Sequence, residues 1–278
     1  MLGQAVMKTL VSDHTVLGVD LEDADLSQAK QVTGLLARSS PEWVIHCAAW
    51  TDVDGAESQV DQAMAANAEA TAHLAAACDE CGAGLTYLST DYVFNGQGGF
   101  EGYAEDDLRD PINAYGLSKA RAEEAVERMT GPWQIVRTSW LFGDGRVNFP
   151  KTMWRLLRQG RDLKVVDDQY GCPTHADDLA EILAYLVSSA GRGIFHGTNA
   201  GHCTWFELAR EVARLIEVDE ERIQPCPSSE YPTAARRPAF SILASRRLEL
   251  AGFPERTSWQ DAVARYVKLL ESGEARHP

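Results

Sequence analysis

Leu85-Thr86-Tyr87-Leu88-Ser89-Thr90-Asp91-Tyr92-Val93-Phe94 passes from an apolar run into two hydroxyls and an acid, and Tyr115-Gly116-Leu117-Ser118-Lys119 opens the next helical pattern. The first stretch predicts a buried strand over Leu85–Leu88, the second a helix from Ala114 to Met129. The same alternation continues on both sides. Thr15 to Asp20 reads as a strand ending in an acid. Ser27 to Arg38 reads as a helix with Ser27 as N-cap. Trp43 to Cys47 is a strand entered through Pro41, about Ser58 to Cys81 is a long Ala-rich helix, and Trp133 to Arg137 is a further strand. Strands alternating with helices predict an α/β chain with a Rossmann-like, doubly wound parallel sheet covered on both faces.

Beyond Trp140 the pattern is less regular. Helices are expected over Phe149–Gln159, Ala176–Ser188 and Trp205–Ile216, the last capped by Thr204, with strands at Leu163–Val166 and Ile194–His196. Residues 217–241 carry four prolines and little periodicity, and read as a loop-rich lobe. Ser258 caps a final helix to about Glu271, and the tail 272–278 is expected to fray. The expected organisation is a single unit over 1–278. About 1–145 is mainly cofactor-binding, and about 146–278 is mainly a small substrate lobe with interleaved segments.

The chain has 278 residues, 45% of them hydrophobic and 24% charged, and a net charge of -15. That charge argues against nucleic acid or an anionic membrane surface as partner, while leaving room for a small anionic ligand held by local cations and backbone N–H groups. No long apolar window predicts a membrane span, and no secretory pattern opens the chain, so a cytoplasmic protein is expected. Of six cysteines only Cys78 and Cys81 have CxxC spacing, which without a second pair or a nearby His reads as helix-end thiols rather than a metal site. The seven histidines share no ligand spacing, and no metal ligand is assigned.

Open sheets of this kind bind ligands beyond the carboxyl ends of their strands. The chemically loaded residues lie there: Asp20, Ala48 to Val53, Ser89 to Phe94, and Thr138 to Trp140. Tyr115 and Lys119, four apart on a helix, share one face. A phenol with an ordinary pKa near ~10 is a poor acid at neutral pH, and an adjacent ammonium is expected to lower it. Thr90 and Tyr115 together would polarise a carbonyl, with Tyr115 supplying a proton to the developing alkoxide. Asp20 would bond adenosine ribose hydroxyls and disfavour a 2'-phosphate, or is a solvated turn acid. Asn67, mid-helix among alanines, bonds either backbone or site water. Arg236 and Arg237 either meet a diphosphate or stay solvated.

These segments resemble the extended short-chain dehydrogenase/reductases, and more narrowly the dTDP-4-dehydrorhamnose reductases among them. The narrower resemblance rests on residues 47–57, 89–96, 111–119, 137–142, 148–153 and 166–174, then Tyr231-Pro232-Thr233, Arg237-Pro238 and Ser241, in order along nearly the whole chain. It implies reduction of a 4-keto dTDP-sugar with NADPH or NADH. Thr90, Tyr115 and Lys119 would be catalytic, and Lys119 would also hold the nicotinamide ribose. Gly3, Asp20, Asp25, Leu26, Ala48, Ala49 and Trp50 would contact the cofactor together with Tyr115 and Lys119. Thr51, Val53, Thr90, Asp91, Tyr92 and Trp140 would line the sugar-nucleotide site. Asp91 followed by Tyr92, where related dehydratases carry an acidic pair, disfavours elimination chemistry. The resemblance allows a homodimer and a Mg2+ at a subunit contact, for which no ligands can be placed. Two other activities stay open: a non-catalytic cofactor-binding subunit of a methionine adenosyltransferase, and another nucleotide-4-keto-sugar reductase or an epimerase.

The chain departs from the resemblance in two places. Met1-Leu2-Gly3-Gln4-Ala5-Val6-Met7 reads as the end of a Gly-rich turn, with Gly3 its last glycine and Gln4 to Leu10 a helix. A first strand and the earlier glycines are not in it, so the expectation is an internal Met at position 1 and an exposed sheet edge. Phe240 stands where relatives carry Tyr or Asn.

Overall fold

The computed structural model describes residues 1–145, 147–189 and 191–273. Helices α1 (Leu2–Leu10) and α2 (Ala29–Ser39) precede strand β1 (Trp43–His46). Then come α3 (Val53–Ser58), α4 (Val60–Met64), a π-helical turn over Ala65–Glu69, α5 (Ala70–Cys81) and β2 (Gly84–Thr90). Helix α6 (Ala114–Glu127) and β3 (Trp133–Thr138) follow, then β4 (Leu141–Phe142), α7 (Phe149–Arg158), β5 (Leu163–Val166), β6 (Tyr170–Gly171) and β7 (Thr174–His175). The chain continues through α8 (Ala176–Ser189), β8 (Gly193–His196), β9 (Cys203–Thr204), α9 (Trp205–Leu215), β10 (Ile223–Cys226), α10 (Arg246–Leu250) and α11 (Trp259–Ser272).

The main sheet is parallel, in the order β1-β2-β3-β8. All seven residues of β2 are buried, as a strand covered on both faces requires. Leu85, Tyr87 and Ile135 face a core with α2, α5 and α6, while Leu88, Val136 and Phe195 face one with α1 and α8. A third core unites β5, α7, α9, β10 and α11, so the later segments build a lobe around their own apolar centre. No helix among the described residues is long and apolar enough to cross a membrane.

Several expectations need correction. Residues 15–20 form no strand, and Leu17 and Val19 are 65% and 48% exposed. A strand needs a ladder partner, and this segment has none: β1 is the edge of the sheet and pairs only with β2 among the described strands. Gly3 lies inside α1 rather than before it. Ser27 does not cap α2, whose N-cap is Gln28. The Ala-rich helix starts earlier, at Val53, because the Asp52 carboxylate accepts from Gly55 N–H at 2.9 Å, and it breaks at Gln59 and again at the π turn. Residues 217–241 hide β10, parallel to β5, with Pro225 tolerated because β10 pairs on one side only. Thr204 and Ser258 cap their helices as expected, and residues 274–278 of the tail lie outside the described residues.

One buried ion pair locks α6 to the sheet. Glu123 accepts from Arg137 Nε at 2.9 Å and Nη2 at 2.7 Å, and from Arg109 Nη1 at 3.0 Å. The Glu123 and Arg137 side chains are 0% and 1% exposed. Glu123→Ala leaves a buried guanidinium without its carboxylate, and is expected to lower unfolding free energy by about 3–5 kcal/mol. A urea midpoint close to wild type would contradict this role.

Candidate active site

The parallel register brings the ends of β1, β2 and β3 to one edge of the sheet, with Thr90 opposite Thr138. Helix α6 starts beside them because Asn113 caps it, accepting from Gly116 N–H at 2.7 Å while its amide donates to the Arg236 carbonyl at 2.9 Å. Gly116 permits the approach: a Cβ there would stand 2.1 Å from the Tyr92 carbonyl oxygen. The Tyr115 ring meets Tyr92 edge to face, with centroids 5.9 Å apart.

Thr90, Tyr115 and Lys119 come together as expected, but the electrostatics differ. Burial pushes the Tyr115 phenol up, partly offset by the facing Thr90 hydroxyl, and the nearby Asp91 carboxylate adds to the rise. The expected lowering by an ammonium does not occur. Lys119 is 2% exposed, donates to the Leu88 carbonyl at 2.6 Å and lies 4.2 Å from the Tyr87 ring centroid. Burial lowers its pKa to about 7, with Glu123 pulling the other way. Tyr115 therefore keeps its proton at neutral pH, the state a proton donor needs. Leu88 is the one hydrogen-bond acceptor of Lys119 among the described residues, so the ammonium has donors left for a ligand hydroxyl.

The segment after β1 is tied to α6 by Asn67. Its Oδ1 accepts from Trp50 N–H at 2.8 Å, and its Nδ2 donates to the Trp50 carbonyl at 3.1 Å and to Ser118 Oγ at 2.8 Å. Asn67 sits in the π turn, a local widening that recurs at functional sites. Of its two readings the backbone one holds. Gly3 reaches the same place, since a Cβ on it would be 4.0 Å from Cys47 Cβ. Ala48 is exposed and Ala49 and Trp50 are half-buried, so small side chains and a fixed backbone border the gap where a dinucleotide would lie. Asp20 is exposed in a turn, its carboxylate accepting from Leu21 N–H. Asp25 bonds Ser27 N–H, and the Leu26 carbonyl meets His73 Nδ1 at 3.2 Å.

On the substrate side, Thr51 is exposed and Val53 opens α3. Trp140 stacks on Trp205 with centroids 3.5 Å apart, and its φ of 46° turns it out of the line of β3. Asp91 is 2% exposed beneath Thr90. The C-terminal lobe reaches the site through Arg237, whose Nη2 donates to Asp54 at 2.7 Å, so that arginine is neither solvated nor free. Asn67, Ser118, Glu123, Arg137 and Ser139 support the site; Asn67 was marked by its place in an alanine run, and Ser118 and Ser139 lay inside segments singled out for their neighbours, while Glu123 and Arg137 had no supporting role assigned from sequence. Burial drops the pKa of His46 and His196 to about 3, which fits structural roles. Among the described residues no group of three or more His, Cys, Asp or Glu side chains could hold a metal ion.

A parallel α/β sheet with a threonine, tyrosine and lysine at its carboxyl edge, and a separate lobe closing over them, defines a Rossmann-type fold of the short-chain dehydrogenase/reductase kind. A solved dTDP-4-dehydrorhamnose reductase from Bacillus anthracis, in complex with NADP, superposes with a TM-score of 0.91 at 36% identity, covering 95% of this chain and 94% of that one. The family model described as the RmlD substrate binding domain matches residues 1–272, and the chain belongs to that family. It is 42% identical over 260 residues to a dTDP-4-dehydrorhamnose reductase of Streptomyces griseus, covering 91% of this chain and 85% of the relative. It is 36% identical over 277 residues to a dTDP-4-keto-6-deoxy-D-glucose reductase of Streptomyces niveus, covering 99% and 96%.

The buried lysine also makes stability depend on pH. Its folded pKa is about 7 against an ordinary value of 10.5. Between these the unfolded chain binds more protons, so this group's contribution to stability rises with pH across that window. Below it the folded chain bears the full cost of the buried charge. Lys119→Met is therefore expected to raise the melting temperature most near pH 6 and progressively less towards pH 10. A pH-independent difference between the two melting curves would refute the assignment.

Proposed function

We propose that the chain reduces dTDP-4-dehydro-β-L-rhamnose to dTDP-β-L-rhamnose with NADPH or NADH, in dTDP-rhamnose biosynthesis for cell-surface polysaccharide. The observation that carries this reading is the buried pairing of Thr90 and Tyr115 at the sheet edge, with Lys119 buried one turn further along α6. When bound, a reduced nicotinamide supplies the hydride. Tyr115 holds its proton at the phenolic oxygen and gives it to the oxygen of the reduced carbonyl. Thr90 offers a second hydroxyl to the same oxygen. Lys119 binds the ribose of the cofactor and so fixes the ring next to Tyr115. Gly3 and the backbone of Ala48, Ala49 and Trp50 border the dinucleotide, and Asp20, Asp25 and Leu26 serve its adenosine end. Thr51, Val53, Tyr92 and Trp140 shape the sugar pocket, with Asp91 acting from beneath. In this reading about 1–145 serves mainly the cofactor and about 146–278 mainly the substrate.

The Streptomyces niveus relative favours a second reading, a different dTDP-4-keto-6-deoxysugar as substrate. The carbonyl chemistry is the same and the sugar differs. A cytoplasmic setting belongs to this proposal, in keeping with six free cysteines. Magnesium enters it only through a subunit contact of a homodimer.

The test is oxidation of NADPH or NADH followed at 340 nm with each 4-keto dTDP-sugar offered in turn. Tyr115→Phe is expected to lower turnover by roughly 10²–10⁴-fold while leaving cofactor binding in place. A fully active Tyr115→Phe protein would remove the assigned proton donor.

A further inference from the structure

The hydrogen bonds around Thr90 leave it no proton to offer. A hydroxyl has one proton and two lone pairs. The Thr90 proton goes to Asp91 Oδ1 at 2.8 Å, and its oxygen accepts from Tyr92 N–H at 3.2 Å. The Tyr115 phenol faces what remains. In this arrangement Thr90 cannot donate to a substrate oxygen.

The second carboxylate oxygen of Asp91 is also committed. Ser139 Oγ donates to Oδ2 at 3.0 Å and accepts from Cys172 N–H at 3.3 Å, and its proton has no other acceptor among the described residues. Thr90 has another oxygen before it, the Tyr115 phenol, and a bound carbonyl beside that, so of the two hydroxyls it is Thr90 that can turn when Asp91 takes up a proton, on Oδ1. The neutral acid then donates to Thr90 Oγ, and the threonine proton is released towards the site.

We propose that Asp91 is a positioning residue whose protonation sets the direction of the Thr90 hydroxyl: ionised, it takes the threonine proton, and neutral, it frees that proton for the substrate carbonyl oxygen. The proposal rests on the reductase reading and deepens it.

The surroundings of Asp91 suit this role. It is 2% exposed and its partners are hydroxyls rather than cations. Burial raises its pKa to about 6, held from rising further by Ser241, Thr90 and Ser139. The titratable groups facing it are Tyr92 beside it, Tyr115 from α6 and Cys172 after β6, all neutral near pH 7 because burial pushes each of them up. A substrate settling over Thr90 excludes water and further disfavours the carboxylate, so binding itself selects the orientation that the reaction uses.

Two measurements decide the matter. In protein carrying ¹³C-carboxyl aspartate, the Asp91 resonance is the one lost in Asp91→Asn. Its midpoint should lie near 6 and should rise in Thr90→Val, which removes a donated bond to the carboxylate. An unchanged midpoint overturns the proposal whatever the catalytic activity. In single-turnover reduction of the 4-keto dTDP-sugar, the wild-type rate should fall as pH rises through that midpoint. Asp91→Asn, whose amide donates to Thr90 as the neutral acid does, should lose the inflection with KM little changed. One pH unit above the midpoint it should outpace wild type by about tenfold, the ratio by which the neutral acid has declined. A folded Asp91→Asn protein that keeps the wild-type profile, or is inactive throughout, also overturns it. No turnover by wild type at any pH tells against the reductase reading instead, and the carboxyl titration alone then decides this one.

Discussion

The site depends on the buried pair of Glu123 and Arg137. Removing two charges from water costs more than a simple apolar contact would, so such a pair is better explained by what it fixes than by what it stabilises. Glu123 is one turn beyond Lys119 on α6, and Arg137 lies on β3 next to the strand that ends in Thr90. Their two-point hydrogen bonding sets the rotation of α6 on the sheet. With that rotation set, Lys119 meets the Leu88 carbonyl and Tyr115 faces Thr90. Arg137 also donates to the Glu105 carbonyl at 3.2 Å and lies 4.9 Å from the Phe94 ring centroid, so the loop between β2 and α6 is anchored by the same side chain.

Two further clamps complete the enclosure. Asn67 joins the turn after β1 to Ser118, which directly precedes Lys119. Asp54 joins α3 to Arg237 and to Ala235 N–H in the C-terminal lobe. Gly96 then lets residues 238–239 pass close by, since a Cβ there would stand 2.6 Å from Pro238 Cα at a φ of 79°. Each clamp is a side-chain amide or carboxylate bonded to backbone on a different element. The site is therefore held by directional bonds at its rim, with the three apolar cores behind it.

Sequence reading succeeded where the information is local. Strand β5 has the expected bounds, β2 and α6 lie within a few residues of theirs, and Thr204 and Ser258 cap as a hydroxyl at a helix start should. It failed where a residue's state depends on distant partners. Thr15 to Asp20 carries strand-like composition, but a ladder needs a neighbouring strand that no local pattern supplies. Glu123 and Arg137 look like ordinary charged residues until the fold buries both. The shared face of Tyr115 and Lys119 was readable from their spacing. That Lys119 turns to Leu88 and leaves the phenol raised was not, because burial is a tertiary property. The burial of Asp91, read only as a wall of the pocket, was hidden for the same reason.

The three ionisable groups at the centre are all displaced towards their neutral forms. Burial takes Lys119 down to about 7 and Asp91 up to about 6, and raises the Tyr115 phenol. In a low-dielectric enclosure a fixed charge would bias the site strongly before any substrate arrived. A carbonyl gains negative charge only as it is reduced, so donors held neutral and already oriented act mainly on the transition state rather than on the bound ketone. In the proposed reaction Tyr115 is such a donor as it stands, and Thr90 becomes one when Asp91 takes up a proton.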